Sequence, residues 1–432
     1  MKFSQYNNLV KFESKYIIFN ALSYRFLYID PLLADLFQKN AKEGTHSSLS
    51  TVHPDFYNAL TTNGFIVEDT YDEYREVQQL IRKTNENKEA YRLIINPTVN
   101  CNFKCWYCYE NHSVPTQMGE EVMQRIYLLI KQITAEESLK RFQLSFFGGE
   151  PLLYYSKVLL PIATYTHDLL KHSDKKFWFD ITTNGYLFNQ KRLETLVNRG
   201  LMSCQITLDG NKQAHDATRF AAASKGSYDR IIENIKIAVR LGIEIVLRIN
   251  YTGKNLTGLS DIFCSFEDLS FEERRKITVS MNKVWQEKDD NLGEVVKKFK
   301  QLVKQFGFKL PEPWLSDRVR NSCYADKQNE AVINYNGDVY KCNARDFTEE
   351  RKEGALDKNG NILWNETHRK REDSVMKNER CIPCSILPIC GGGCSQTAFE
   401  NLGKTYCINT NKNNMQEQII ELFLSECNKK II

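Results

Sequence analysis

The sequence lacks every signal of secretion or membrane attachment. It contains no signal peptide, no lipidation motif and no apolar run of the roughly 18 residues that a bilayer-spanning helix requires. We therefore expect a cytoplasmic protein without a membrane partner. Stretches in which Lys and Arg alternate with aromatic residues are also missing. The net charge of +4 thus indicates a solvated basic surface and no nucleic-acid partner.

Internal repeats and low-complexity segments are absent as well, which excludes repeat arrays. The 432 residues are enough for two or three domains, each with a hydrophobic core of its own. A hydrophobic content of 42% and a charged content of 26% are ordinary for a globular protein. Composition alone therefore leaves the function open.

Cysteine is missing from the first hundred residues, although the whole chain has 13. Seven of them lie between Cys323 and Cys407. A reducing cytosol disfavours structural disulfides, so clustered cysteines point to metal or iron–sulfur ligation. Cys204, Cys264 and Cys427 stand alone and are interpreted as small hydrophobic residues.

The pattern of strands and helices divides the chain into three predicted domains. Residues 1–90 alternate as strands and short helices typical of a winged-helix-like module. Residues 91–309 contain six successive strand–helix units, which predict an α/β fold with a parallel sheet and right-handed crossovers. Six units would form an open, partial (β/α)6 TIM-like barrel rather than a closed eight-stranded one. Residues 310–432 are expected to be loop-rich and dominated by cysteine.

The loops after the predicted barrel strands contain the unusual residues. In parallel α/β folds ligands bind at the carboxyl ends of the strands. The first loop carries three cysteines, the next three follow as "GGEP", "TTNG" and "TLDG", and "RIN" lies at the fifth strand. Any one of these glycines could simply make a strand-to-helix turn. Several such loops on one edge favour a ligand site.

The three-cysteine loop, residues 101–108, contains Cys101, Cys105 and Cys108. A tetrahedral zinc site would need a fourth ligand, and His112 follows four residues later. A four-iron cluster is the alternative, because it can leave one iron open for a substrate. Glu150 could then hold the ammonium of that substrate, and Gly148 and Gly149 would allow its close approach to the backbone.

These residues resemble a known family. "CNFKCWYC" matches the CxxxCxxC motif of radical S-adenosylmethionine (radical SAM) enzymes, with Tyr107 before the third cysteine, and "GGEP" matches their amino-group-binding motif. The resemblance implies that the three cysteines hold the catalytic [4Fe–4S] cluster and that the cosubstrate occupies the open iron. It also implies cosubstrate or substrate contacts for Thr182, Asn184, Thr207 and Asp209. Arg219 could meet a carboxylate or form a structural ion pair.

The seven C-terminal cysteines resemble the SPASM domain of this family, so the resemblance spans about residues 91–410. It implies two auxiliary [4Fe–4S] clusters, three clusters in all, and reduced flavodoxin or ferredoxin as electron donor. Cys323, Cys342 and Cys394 would hold the first auxiliary cluster, and the second would be held by Cys381, Cys384, Cys390 and Cys407. The competing interpretation is a zinc ribbon held by Cys381 and Cys384, which form a CxxC pair.

Three functions remain open at this point. A ribosomal-peptide maturase would use residues 1–90 to pair with the leader of a precursor peptide by β-augmentation. An anaerobic sulfatase maturase would oxidise Ser or Cys to formylglycine, but such enzymes carry an aspartate where this chain has Asn343. The non-catalytic alternative is an iron–sulfur or zinc scaffold that binds peptides. The intact cysteine motif and the N-terminal module favour the peptide maturase.

The first auxiliary cluster has only three predicted thiolates. Relatives with an eighth cysteine carry it at the position that matches Asp317. The sequence leaves three possibilities: carboxylate ligation, an open or substrate-filled iron, and an Asp317 that pairs with Arg318 or Arg320 on the surface.

Overall fold

The computed structural model describes residues 1–110, 112, 115–221, 226–256, 258–288, 292–311, 317–409 and 412–429. The chain forms two compact units. One comprises Met1–Asn87, Glu312–Gln328 and Arg369–Ile432, and the other comprises Lys88–Pro311 and Asn329–His368. The domain boundaries predicted at residues 90 and 309 stay a prediction.

The first unit begins with strands and short helices, as the sequence predicts for its first ninety residues. They are β1 (Lys2–Phe3), β2 (Asn7–Phe12), β3 (Lys15–Asn20), β4 (Arg25–Ile29), α1 (Pro31–Glu43), α2 (His46–Val52), α3 (Pro54–Thr62), β5 (Ile66–Val67) and α4 (Glu73–Asn85). β2, β3 and β4 form an antiparallel sheet in that order, and β1 pairs with β5. Asp30 caps α1 and Gly44 ends it with φ 68°. The strands β1 and β2 and the helix α2 were not predicted.

Successive residues of β3 face two different cores, because side chains alternate across a strand. Ile18 packs with Phe37 and other residues from α1–α3. Ile17 and Phe19 instead pack with Ile389, Cys390 and apolar residues near the chain's C-terminal end. The N-terminal sheet is therefore covered on one side by the cysteine-containing segment of the same unit.

The second unit contains the predicted strand–helix alternation. Its elements are β6 (Ala90–Ile95), α5 (Glu120–Ala135), β7 (Arg141–Phe146), α6 (Leu160–Leu170), β8 (Lys176–Thr183), α7 (Gln190–Val197), β9 (Leu201–Leu208), α8 (Lys212–Thr218), α9 (Tyr228–Arg240), β10 (Glu244–Tyr251), α10 (Asp261–Cys264), α11 (Phe271–Arg274), β11 (Ile277–Lys283) and α12 (Gly293–Gln305). The six strands are parallel and lie in the order β11-β10-β9-β8-β7-β6. This sequential parallel order confirms the predicted α/β fold.

Four further strands extend this sheet beyond β6. They are β12 (Glu330–Ile333), β13 (Asp338–Tyr340), β14 (Gly354–Leu356) and β15 (Ile362–Trp364). β12 is parallel to β6, and the later pairs are antiparallel. These four strands were not predicted, because strands of three or four residues are too short to show a period. In the described sheet β6 thus pairs with β12 and not with β11, which confirms an open sheet.

The remaining helices are α13 (Glu366–Ser374), α14 (Leu387–Cys390), α15 (Ser395–Glu400) and α16 (Lys412–Lys429). Phe423 of α16 packs against Phe12, Phe26 and Tyr28 of the N-terminal sheet. None of the helices in the described parts of the chain combines the length and the hydropathy needed to cross a membrane.

The two faces of the parallel sheet differ in polarity. One face supplies the apolar core, with residues such as Leu144, Ile181 and Leu247 packed beneath the helices. The alternate positions are largely polar: Arg92, Gln143, Ser145, Asp180, Thr182, Gln205, Thr207, Arg248, Asn250, Ser280 and Asn282. Parallel strands that are buried on both faces usually have sequences of consecutive apolar residues. This polar face is therefore available for a ligand.

Candidate active site

The three-cysteine loop follows β6 at the carboxyl edge of the parallel sheet. Cys101 and Cys105 are half-buried and Cys108 is exposed. Burial raises the pKa of Cys101 to about 12 and that of Cys108 to about 11. Without a bound cation these groups are therefore neutral thiols, and metal ligation would require each to lose its proton.

His112 lies beside the third cysteine. Its Nε2 is 3.3 Å from the Sγ of Cys108, and its Nδ1 contacts the carbonyl oxygen of Val99. Within the described parts of the chain, no three His, Cys, Asp or Glu side chains converge as closely as metal ligands do. His112 is thus a neighbour of Cys108, and its role as a fourth zinc ligand stays one of the predicted alternatives.

Gly148 and Gly149 bring the loop after β7 against the three-cysteine loop. The backbone N–H of Gly149 donates to Thr98 over 3.1 Å, and that of Glu150 donates to Asn100 over 2.8 Å. A Cβ at Gly148 would lie 2.2 Å from the Thr98 carbonyl oxygen, and one at Gly149 would lie 2.2 Å from that of Asn100. Only glycine permits this approach, so the "GGE" sequence positions the cysteine loop through its backbone.

The Glu150 carboxylate is fully buried and accepts hydrogen bonds from within the protein. The Thr183 hydroxyl donates over 2.8 Å, the Asn184 backbone N–H over 2.8 Å and the Leu152 backbone N–H over 3.0 Å. Burial nevertheless raises the pKa of Glu150 to about 6. The side chain therefore ties the loops after β7 and β8 together, and its predicted role in holding an ammonium stays a prediction.

Asn184 connects the loop after β8 to the three-cysteine loop. Its Nδ2 donates to Asn102 Oδ1 over 2.7 Å and lies 3.7 Å from Cys101 Sγ. Thr182 and Thr207 lie on the polar face of the sheet, in β8 and β9, where the sequence predicts cosubstrate contacts. The structure thus brings the predicted residues of β6–β9 and of the loops that follow these strands to the carboxyl edge of the parallel sheet.

Tyr107, Asp209 and Arg219 form a buried network. The Tyr107 hydroxyl lies 2.7 Å from both carboxylate oxygens of Asp209, and Arg219 Nη1 donates to that hydroxyl over 2.8 Å. Arg219 and Asp209 form an ion pair at 3.9 Å. Burial raises the pKa of Asp209, and Arg219 opposes the shift. Of the two roles considered for Arg219, the structure shows the internal ion pair.

Two arginines lie on the polar face: Arg92 was missed from the sequence, and Arg248 was noted only as part of "RIN", with no role assigned. Arg92 donates to Ser145 over 2.9 Å and pairs with Asp180 at 3.6 Å. Arg248 donates through Nε to Asn250 Oδ1 over 2.8 Å. The signal that could have found them is the alternation of polar residues within strands predicted to be parallel.

Exposed aromatic side chains lie next to the three-cysteine loop. Tyr109 stacks on Trp285 with ring centroids 5.8 Å apart, and its hydroxyl donates to the Asn343 carbonyl oxygen over 2.8 Å. The Arg345 guanidinium lies 5.2 Å from the Trp285 ring centre. Trp285 and Trp106 expose 63% and 61% of their surface. Such rings offer contact area to a ligand larger than the cosubstrate.

Residues 95–258 match the family model of the Radical SAM superfamily. The match contains the three cysteines, the two glycines and the buried network described above. The chain contains a radical SAM domain.

The chain covers most of the length of two curated relatives. A cysteine-type anaerobic sulfatase-maturating enzyme from Clostridium novyi is 25% identical over 72% of this chain and 90% of its own. A probable GTP 3′,8-cyclase from Methanococcus aeolicus is 26% identical over 61% of this chain and 89% of its own. Relatives with such different reactions do not by themselves give the substrate.

Solved structures show the same fold. AnSMEcpe with bound AdoMet aligns with a TM-score of 0.59 and 16% identity, over 78% of this chain and 98% of its own. Streptococcus suis SuiB bound to S-adenosylmethionine aligns with a TM-score of 0.51 and 17% identity, over 94% of this chain and 98% of its own. At these identities the likeness concerns the fold alone.

The radical SAM domain fits the group that its family implies. Three thiols within eight residues form a soft donor set suited to iron. The close backbone approach at Gly148 and Gly149 leaves no side chain between the two loops. We infer that Cys101, Cys105 and Cys108 would hold a [4Fe–4S] cluster.

Four other thiols of the first unit interact electrostatically. Burial raises the pKa of Cys381 to about 11, and Cys390, Cys384 and Cys407 raise it further. The Asn409 Nδ2 donates to Cys390 Sγ over 3.4 Å, and Cys407 Sγ lies 3.2 Å from the Asn409 carbonyl oxygen. This grouping is the set that the sequence assigns to the second auxiliary cluster, which stays a prediction.

Three successive glycines separate two of the predicted ligands. Gly391, Gly392 and Gly393 have φ of 63°, 74° and 98°, in the left-handed region. A Cβ at Gly392 would lie 3.3 Å from Cys381 Sγ. Cys381, Cys394 and these glycines line a cavity of about 30 Å³. Arg318, which interacts electrostatically with Cys390, Cys394 and Cys323, also lines it.

The other cysteines of the first predicted set are Cys342, in the second unit, and Cys323, which is exposed. The Ala344 backbone N–H donates to Cys342 Sγ over 3.4 Å. Asp317 is buried and accepts from Arg320 N over 2.9 Å and from Arg320 Nη1 over 2.5 Å. Among the three possibilities for Asp317, the structure shows the ion pair with Arg320, in a buried rather than a surface position.

Proposed function

We propose that this radical SAM enzyme modifies a ribosomally made precursor peptide, by installing a thioether or C–C cross-link or a similar change. The proposal rests on the share of this chain that aligns with one solved structure. SuiB bound to its precursor peptide SuiA aligns over 95% of this chain with a TM-score of 0.52. AnSMEcpe bound to the Cp18Cys peptide aligns over only 78%.

The N-terminal sheet supplies a site for a leader peptide. In the described sheet β4 pairs only with β3, so its outer N–H and C=O groups form an edge. An extended leader segment can add to such an edge by β-augmentation. Tyr28 of this strand exposes 42% of its surface and offers an apolar contact beside the edge.

The predicted site residues have roles in this proposal. Cys101, Cys105 and Cys108 would hold the [4Fe–4S] cluster, Gly148 and Gly149 would let S-adenosylmethionine approach the backbone, and Thr182 and Thr207 would contact the cosubstrate or the substrate. Glu150 and Asn184 orient the loops around it. Tyr107, Asp209 and Arg219 form a rigid wall. When bound, cluster and cosubstrate would supply a 5′-deoxyadenosyl radical, with reduced flavodoxin or ferredoxin as electron source.

A net oxidation of the peptide also needs an electron acceptor. Two auxiliary clusters would take this role. Cys381, Cys384, Cys390 and Cys407 would hold one, and Cys323, Cys342 and Cys394 would hold the other. The electrostatic interactions of Cys381 with the other three thiols of the first set support this assignment.

The second candidate is formylglycine formation, favoured by the Clostridium novyi relative. Against it stands Asn343, whose amide cannot accept a proton as the aspartate of sulfatase maturases can. The scaffold alternative predicts no turnover at all. Mass spectrometry of a treated precursor separates the three. A cross-link removes two hydrogen atoms and gives no aldehyde, whereas formylglycine reacts with a hydrazide.

The decisive variant replaces Cys101, Cys105 and Cys108 together with Ala. We expect it to lose reductive cleavage of S-adenosylmethionine and to retain iron in the auxiliary sites. Replacement of the isolated Cys264 is the matched control and should change neither. Formation of 5′-deoxyadenosine by the triple variant would contradict the assignment.

A further inference from the structure

Arg248 differs from the other two arginines of the site in its pairing. Arg92 pairs with Asp180 at 3.6 Å, and Arg219 pairs with Asp209 at 3.9 Å. Arg248 makes one hydrogen bond, from Nε to Asn250, and forms no ion pair with any carboxylate of the described residues. Its two Nη groups are the unused part of the guanidinium fork.

The position of Arg248 places it within the site. It lies on the polar face of β10, opposite Thr207 of β9 and Ser280 of β11 in the strand register. It interacts electrostatically with Tyr107, Tyr109 and Asp209. Asn250, which accepts from Arg248, also interacts with the Tyr107 hydroxyl. Arg248 is therefore linked to the wall beside the three-cysteine loop.

Asp209 interacts electrostatically with Arg248, but its carboxylate oxygens already contact Arg219 and the Tyr107 hydroxyl. Arg248 is half-buried, and burial lowers its pKa. A desolvated guanidinium without a counter-ion is costly, and a bidentate carboxylate is the ligand that best offsets the cost.

We propose that Arg248 binds a carboxylate of the substrate peptide, either an Asp or Glu side chain or the C-terminal carboxylate, beside the residue to be modified. The inference rests on the proposed peptide substrate and adds a specificity rule to it. The cosubstrate also contains a carboxylate, which is the other source of the same chemistry. A test must therefore separate the peptide from S-adenosylmethionine.

A displayed library of random peptides provides the first measurement. The full-length protein is the bait, and no cosubstrate is added. Four proteins are compared: the wild type, Arg248→Gln, Arg248→Lys and Arg240→Gln. Arg240 is the matched control, since it pairs with Asp268 at 2.8 Å on an exposed helix face. We expect the wild type and Arg240→Gln to enrich peptides with carboxylates, and Arg248→Gln to lose this preference by at least about tenfold.

The second measurement uses individual peptides and the cosubstrate. A selected acidic peptide should bind Arg248→Gln at least about tenfold more weakly, whereas its amide counterpart should bind both proteins alike. Arg248→Lys keeps the charge and should retain part of the preference, so it replaces the Gln variant if that one unfolds. Binding of S-adenosylmethionine is titrated for each protein.

The outcomes are distinct. A preference for carboxylates that persists in Arg248→Gln overturns the inference, and a parallel loss of S-adenosylmethionine affinity would then assign Arg248 to the cosubstrate. If the wild type enriches peptides without carboxylates, the inference fails while the proposed function stands. If the wild type enriches no peptide, the inference fails, and the proposed function is decided separately by mass spectrometry of the treated precursor.

Discussion

The three-cysteine loop and the Cys381–Cys407 segment both gather thiols, but different interactions hold them in place. The first is fixed by backbone hydrogen bonds from a neighbouring strand's loop and by the buried Glu150. The second contains three left-handed glycines, and its apolar residues pack against the N-terminal sheet. The first site is thus a product of the parallel sheet itself. The second depends on a segment more than three hundred residues earlier in the chain.

The largest expected effect tests this dependence. Phe19→Ala should destabilise the packing around Ile389 and Cys390 by about 3–5 kcal/mol, because it opens a cavity in their shared core. Phe37→Ala removes a similar ring from the opposite side of the sheet. Hydrogen exchange over residues 386–391 is the measurement. We expect faster exchange in the first variant only, and equal exchange in both would refute a specific link.

The next effect concerns the three-cysteine loop. Gly149→Ala should weaken S-adenosylmethionine binding at least about 100-fold, or about 2.7 kcal/mol, because the new Cβ overlaps the Asn100 carbonyl oxygen. Gly119→Ala is the control, since its φ is −82° and nothing lies within 4 Å of the added atom. Equilibrium titration measures both. Similar affinities for the two variants would show that the loops can move apart without loss.

Burial raises the pKa of Glu150 from 4.5 to about 6. The free energy of unfolding should therefore change with pH by about 2 kcal/mol. Between these values the folded protein binds more protons than the unfolded chain, so stability falls as pH rises through this window. Glu150→Gln should lose this component, whereas the exposed Glu137→Gln should keep it. Urea unfolding across the window is the measurement, and unchanged slopes in both variants would contradict the expectation.

The smallest effect compares two glycines of the cysteine-rich segment. Gly392 and Gly403 have φ of 74° and 76°, so Ala at either position should cost about 1 kcal/mol in backbone strain. Only at Gly392 does the added atom meet Cys381, and we expect about 1 kcal/mol more. Thermal unfolding measures the difference. A larger loss in Gly403→Ala would show that Cys381 is not constrained by this turn.

Much of the fold could be predicted because its signals are local. Most strands of the parallel sheet are followed by a helix with an apolar stripe, such as α9 after β9, and parallel strands put their loops on one edge. The site residues on those loops could therefore be grouped without a structure. The short strands β13–β15 carried no such period, and the pairing of Glu150 with Thr183 and Asn184 had no sequence pattern at all.

The sequence by itself determined the α/β fold of the barrel region and the spacing of the cysteines, because both depend on periodicity and on neighbours in the chain. The tertiary structure decided which charges are neutralised. Arg92 and Arg219 pair with carboxylates from other strands and loops, and Arg248 pairs with no carboxylate of the residues that the structure describes. It also decided that the N-terminal sheet shares a core with the cysteine-rich segment. Contacts between residues far apart in sequence leave no local periodicity, so only the folded chain reveals them.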